Sequence, residues 1–126
     1  IRDAETADII SHVAKTEGLE ALGFVKNSLG PHSVHALTNT LLESRAIRSI
    51  HKLVLKNPHP YKDNLHMWRE FTGKFLSHSA DLHKLNKLTL CSLGLDHRCL
   101  DVLGEAVVLL PALMHLDISA NVLTSQ

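Results

Sequence analysis

The chain has 126 residues with 44% hydrophobic content, enough for one small domain with a genuine core. Its 13 basic and 13 acidic residues cancel to a formal net charge of zero, so the total gives no electrostatic drive toward nucleic acid. No apolar run approaches the ~20 residues needed to span a bilayer and no secretory leader is visible, so membrane insertion is not expected.

Residues 1–18 are expected to form a helix with Ala7, Ile10 and Ala14 on one side. A frame of four apolar positions and an asparagine follows, Leu19, Leu22, Phe24, Asn27 and Leu29, the spacing of a short strand that turns at the asparagine. The segment 31–44 then places Val34, Leu37 and Leu41 at helical spacing, with Pro31 in a first turn where its missing N–H is harmless. The frame returns at Ile50, Leu53 and Leu55, but Pro58 stands where Asn27 stood and cannot make the asparagine's side-chain bonds. Turn formers crowd residues 57–64, which read as an insertion with an irregular, bulged loop. Residues 64–78 carry Leu65, Trp68, Phe71 and Phe75 on a bulkier helical face. A third frame, Leu85, Leu88, Leu90, Leu93 and Leu95, leads to Leu100, Leu103, Val107 and Leu110 on a helix that Pro111 should stop. The fourth and most complete frame is Leu113, Leu116, Ile118, Asn121 and Leu123.

The frames begin at 19, 50, 85 and 113, spacings that suit a strand plus a full helix in each unit. The organisation expected is a helix over 1–18, units over 19–49, 50–84 and 85–112, and the start of another at 113–126. Neither end carries the polar cap that a stack of such units needs, so the chain reads as part of a longer protein.

The pattern resembles the ribonuclease-inhibitor-like leucine-rich repeats, most closely over 85–126 and again at Asn27-Ser28-Leu29-Gly30 followed by a helix. That group includes the Ran GTPase-activating proteins, tropomodulin-type actin regulators and NOD-like receptors. The resemblance implies an α/β solenoid, a horseshoe of alternating parallel strands and helices. It implies a fold, and folds of this kind host unrelated functions.

Alternate residues of a strand face opposite ways. With Leu53 and Leu55 turned to the core, Lys52, Val54 and Lys56 face out onto the inner, concave surface. The same alternation exposes Ala21, Gly23 and Val25 on the first strand, Lys87, Thr89 and Cys91 on the third, and His115, Asp117 and Ser119 on the fourth. Strands about 4.8 Å apart would set Lys52 beside Lys87, with Lys56 one step along and His115 on the next strand. The result is a modest basic stripe that ends at Asp117, suited to an acidic segment of a protein partner. Exposed strand positions also hold lysine for solubility alone.

Ten histidines raise the question of metal. His32 and His35 are three apart on one helix, and Cys91, His97 and Cys99 form a loose set, but neither has the spacing of three or four converging ligands. Two cysteines without a framework favour a reducing compartment, and Cys99 fits a small core residue. Asp96-His97 and His115 near Asp117 are acid–base types with no nucleophile placed to use them, and no phosphate loop or nucleophile elbow is present. Trp68 beside Arg69 is of an interface-anchor type, but packing on Leu65 and Phe71 in an enlarged unit is the preferred reading. The expectation is a cytoplasmic protein-interaction scaffold without catalysis, cofactor or small-molecule substrate. The alternatives are a regulatory GTPase-activating role and a structural segment of a cytoskeletal or ciliary assembly.

Overall fold

The computed structural model describes residues 2–25, 29–57 and 65–121. Asn27, Ser28, Pro58, most of the inserted loop (58–64) and Leu123 lie outside these residues. The elements run in chain order as α1 (Asp3–Val13), β1 (Ala21–Phe24), α2 (Pro31–Ala36), β2 (Lys52–Lys56), α3 (Leu65–Ser77), β3 (Lys87–Cys91), α4 (His97–Val107) and β4 (His115–Asp117). The protein is α/β: the four strands form one parallel sheet in the order β1-β2-β3-β4. Sequential parallel neighbours need a crossover between each pair. Here α2, α3 and α4 fill those crossovers, with α1 packed on α2 and α3 on α4.

The pairing register carries the core. Leu22 lies opposite Leu53, Leu53 opposite Leu88, and Leu88 opposite Leu116, and a second row joins Phe24, Leu55 and Leu90. These side chains share one face of the sheet, and all but Leu116 meet Ile10, Val34, Leu37, Leu41, Phe71, Phe75 and Leu103 from the helices in a single cluster. Burying each such side chain contributes roughly 1.5–3 kcal/mol. Leu116 departs from its row, being 45% exposed. Among the described residues no helix follows β4, and His115, Leu116 and Asp117 are all exposed.

The strand starts are joined in a repeating way. The Glu20 carbonyl accepts from the N–H groups of His51 and Lys52, that of His51 from Asn86 and Lys87, and that of Asn86 from Met114 and His115. Corresponding residues at the strand ends also behave alike. Ser92 and Ala120, each seven beyond the first residue of its frame, both have positive φ, near 56° and 58°.

Helix α2 is short because its continuation widens. Residues Leu37–Leu41 form a π-helical turn, with the Leu42 N–H bonded to the Leu37 carbonyl at 3.1 Å. The even helix expected over 31–44 is therefore interrupted. The wider turn leaves Thr38 Oγ1 buried without a hydrogen-bond partner, at a cost of about 1–3 kcal/mol. A 3₁₀ turn, Arg45–Arg48, then leads to β2, capped by the Ser44 hydroxyl. Pro111 does not itself end α4, which stops at Val107. No helix among the described residues is long and apolar enough to cross a membrane.

Two carboxylates organise helix starts from a distance. Asp3, in the first turn of α1, accepts from the backbone N–H groups of Gly30, His32 and Ser33 at 2.8–2.9 Å, and so caps α2 from its neighbour. Asp96 caps α4 through the Cys99 N–H at 3.1 Å and accepts from the Arg69 guanidinium of α3 at 2.5 Å. Burial pushes both carboxyls up, but the donors outweigh it. Asp3 is held below its usual range, and Asp96 falls to about 2. A depressed folded pKa stabilises above the unfolded value of 3.8 and loses that stabilisation as pH falls through the folded one. Urea unfolding midpoints should therefore be flat near neutrality and drop between about pH 4 and pH 2, with a shallower drop in Asp96→Asn. An equal slope in that variant would contradict the assignment.

Candidate functional site

The face of the sheet opposite the helices is the candidate site. Its floor is set by register. Ala21 lies opposite Lys52, Lys52 opposite Lys87, and Lys87 opposite His115, so three basic or titratable side chains stand in one row across neighbouring strands. All three are exposed. The next row is Gly23, Val54, Thr89 and Asp117. Lys56 pairs with Cys91 in the last row, and Ser119 closes it with its hydroxyl 3.5 Å from Cys91 Sγ. Ala21 and Gly23 make the β1 side low, so the lysines rise from a shallow edge.

Two of the nine residues expected on this surface are buried. Thr89 is 4% and Cys91 6% exposed. They do belong to the outward-facing set, but they are short side chains on an inner strand, shaded from both sides. Thr89 sits between Val54 and Asp117, and Cys91 is covered by the end of the fourth unit, its Sγ 3.7 Å from the Asp117 carbonyl. Val54 is half-buried, while Lys56, Asp117 and Ser119 are exposed.

Asp117 does not act as a free acid. One of its carboxylate oxygens accepts from the Ser119 N–H at 3.0 Å, and this bond, with help from the Ser119 hydroxyl, Cys91 and the charge of Lys56, lowers its carboxyl. Its negative charge thus persists on β4 one row along from the lysines, so the face has cations on β2 and β3 and an anion on β4. Two depressions follow these residues: one of about 410 Å³ lined by Lys52, Asn86, Lys87, Met114 and His115, and one of about 520 Å³ that adds Lys56, Thr89, Leu116 and Asp117. Met114 is 79% exposed, an apolar, adaptable side chain beside the basic row. Sequence reasoning missed Asn86 and Met114. Their signal was position, since each stands immediately before a strand residue already assigned to the outward face.

The side chains of chemical interest elsewhere have structural partners. Trp68 is 1% exposed, edge-on to Phe71 at 5.3 Å, which removes it as a surface anchor. His32 and His35 are exposed, and His35 Nδ1 lies 3.1 Å from Asn39 Nδ2. Among the described residues no group of three or more His, Cys, Asp or Glu side chains converges as a metal site requires. Cys91 and Cys99 are both free thiols. Asn121 ties its turn to the adjacent unit: Oδ1 accepts from Leu93 N and Leu95 N at 3.0 and 3.3 Å, while Nδ2 donates to the carbonyls of Leu90 and Ile118 at 2.7 and 2.8 Å. Comparison with protein-family models, curated proteins and solved structures finds no match to the chain.

Burial pushes the Cys99 thiol up to about 11, and the residue is fully enclosed. Alkylation needs an accessible thiolate. Iodoacetamide at pH 8 should therefore label Cys99 in native protein only as fast as the chain opens, and rapidly in urea, as peptide mass spectrometry would record. Equal native and denatured rates would contradict the core placement.

Proposed function

We propose that this chain is a stretch of leucine-rich-repeat solenoid that serves as a protein-interaction scaffold and performs no bond chemistry. The open sheet face would be the concave surface of the horseshoe. Three repeating features support the architecture: the leucine rows in register, the carbonyls at strand starts that each accept two N–H groups, and the left-handed residues at matching positions of the third and fourth units. The Asn121 bonds to a neighbouring strand and turn support it further, since they join one unit to the next through a side chain.

The observation that carries the functional reading is the row Lys52, Lys87 and His115, exposed and consecutive on one rigid face. Two lysines and an imidazole at strand spacing offer a register of donors to carboxylates on an acidic segment of a protein partner. Such contacts govern on-rate and specificity more than total affinity, and salt screens them. Lysine, a flexible point charge, suits a partner whose acids vary in exact placement. Residence in the cytoplasm is part of the same reading, consistent with two unpaired thiols.

A second reading has one observation in its favour. Val108, Leu109 and Met114 are 79%, 58% and 79% exposed, an apolar edge at the end of α4 and the start of β4. A structural segment of a larger assembly would make its contacts there. Affinity capture with crosslink mapping should identify the partner, and K52E/K87E then separates the readings. Weakening by about tenfold or more at low salt, fading as salt rises, is expected for the concave face. Unchanged affinity would exclude that face and favour the apolar edge.

A further inference from the structure

A second basic hollow lies beyond the strand starts. It has a volume of about 570 Å³ and is formed where the end of α1, the 3₁₀ turn and the turn before β3 converge. Lys15, Arg45, Arg48 and Lys84 line it, with His83 beside them and Glu17 the one carboxylate in the lining. The chain as a whole is neutral, so this excess of cations is a local concentration. Of the four, Arg48 has an acidic partner, Asp81 at 3.6 Å, and the guanidinium stays 64% exposed. Lys15, Arg45 and Lys84 make no ion pair among the described residues, and all are exposed. Asp81 also lies 3.5 Å from His78 and is not part of the hollow's lining.

The hollow is continuous in chain position with the sheet site. Arg48 and Ser49 line it while Lys52 lines the next depression, and His83 and Lys84 line it while Asn86 and Lys87 line the next. Two neighbouring strands therefore lead the same way, each from a cation in the hollow to a cation on the sheet within four residues. A compact anion would occupy one depression only. An extended polypeptide advances about 3.3 Å per residue and puts alternate side chains on one side, so it can place carboxylates in both. Met114, exposed in the lining of the sheet depression, adds an apolar contact that a polypeptide can use and a bare anion cannot.

We propose that the hollow bounded by Lys15, Arg45, Arg48 and Lys84 is the continuation of the sheet site, and that one extended acidic polypeptide carrying an apolar residue occupies both. The proposal rests on the concave-face reading and assigns its partner a direction and a footprint. The acidic stretch crosses the Lys52–Lys87 row and passes over the strand-start rim, with its apolar residue against Met114.

The probe is a fluorescein-labelled peptide of about ten residues, roughly 33 Å when extended, with glutamates at alternate positions and one leucine. Its glutamine counterpart is the control, and inorganic pyrophosphate the competitor. Fluorescence anisotropy at low salt should show binding that the glutamine peptide lacks. R45E/K84E and K52E/K87E should each weaken it by about tenfold or more, with a smaller salt dependence in each. Loss in K52E/K87E with none in R45E/K84E would overturn the shared track and leave the sheet site standing. No loss in either would remove both. Pyrophosphate that binds as tightly as the peptide would mean a compact-anion hollow and would also overturn the proposal. Should R45E/K84E fail to fold by circular dichroism, amide shifts of Gly18 and Ser49 on titrating the unmodified protein decide the matter. Shifts at both are expected, and their absence overturns the hollow's role.

Discussion

The parallel register that aligns Leu22, Leu53, Leu88 and Leu116 constrains everything else in this molecule. Neighbouring strands run the same way, so each must be reached by a crossover, and every crossover places its helix on the same side. The leucine row then has one helix-covered face to fill. The opposite face receives whatever the intervening positions hold, at a spacing fixed by backbone hydrogen bonds. Lys52, Lys87 and His115 stand side by side for the same reason that Leu53, Leu88 and Leu116 do. A one-residue slip would exchange the two sets and place lysines in the core.

The same geometry explains why the site is rigid. Its lysines project from β2 and β3, which are locked on both edges by pairing, while β1 and β4 are paired on one edge only. Asp117 is engaged by Ser119, and Asp96, elsewhere on the helical layer, is engaged by Arg69 and the start of α4. What the face offers is a pattern of charge over shallow relief, with cations spread from the strand-start rim across β2 and β3. Recognition through such a surface depends on a partner's charge pattern and on ionic strength.

Much of the fold was legible because leucine spacing reports both periodicity and direction. The frames at Leu19, Ile50, Leu85 and Leu113 located all four strands, and the helical sets at Val34–Leu41, Leu65–Phe75 and Leu100–Leu110 located the crossovers. Four features were not legible. The π-helical turn at Leu37–Leu41 has the same apolar spacing as an α-helix, so nothing in the pattern distinguishes it. Asp3 caps α2 across 27 residues of sequence, a tertiary bond that no local capping motif announces. Exposure on the outward face was overestimated at Thr89 and Cys91, because alternation gives direction but not the height of neighbouring side chains. The hollow behind the strand starts is likewise invisible in sequence, since Lys15, Arg45 and Lys84 come from three separate turns.

The central claim is that successive strand–helix units share one interior and therefore unfold together. Leu53 lies in the middle of the buried row, 2% exposed, with leucines on both neighbouring strands. Equilibrium urea unfolding of Leu53→Ala, followed in parallel by Trp68 fluorescence and far-ultraviolet circular dichroism, tests the claim most directly. A shared interior predicts coincident transitions by both probes and a loss of about 2–5 kcal/mol relative to the parent chain. A loss below about 1 kcal/mol, or Trp68 in α3 reporting an unchanged midpoint while the dichroism shifts, would contradict it.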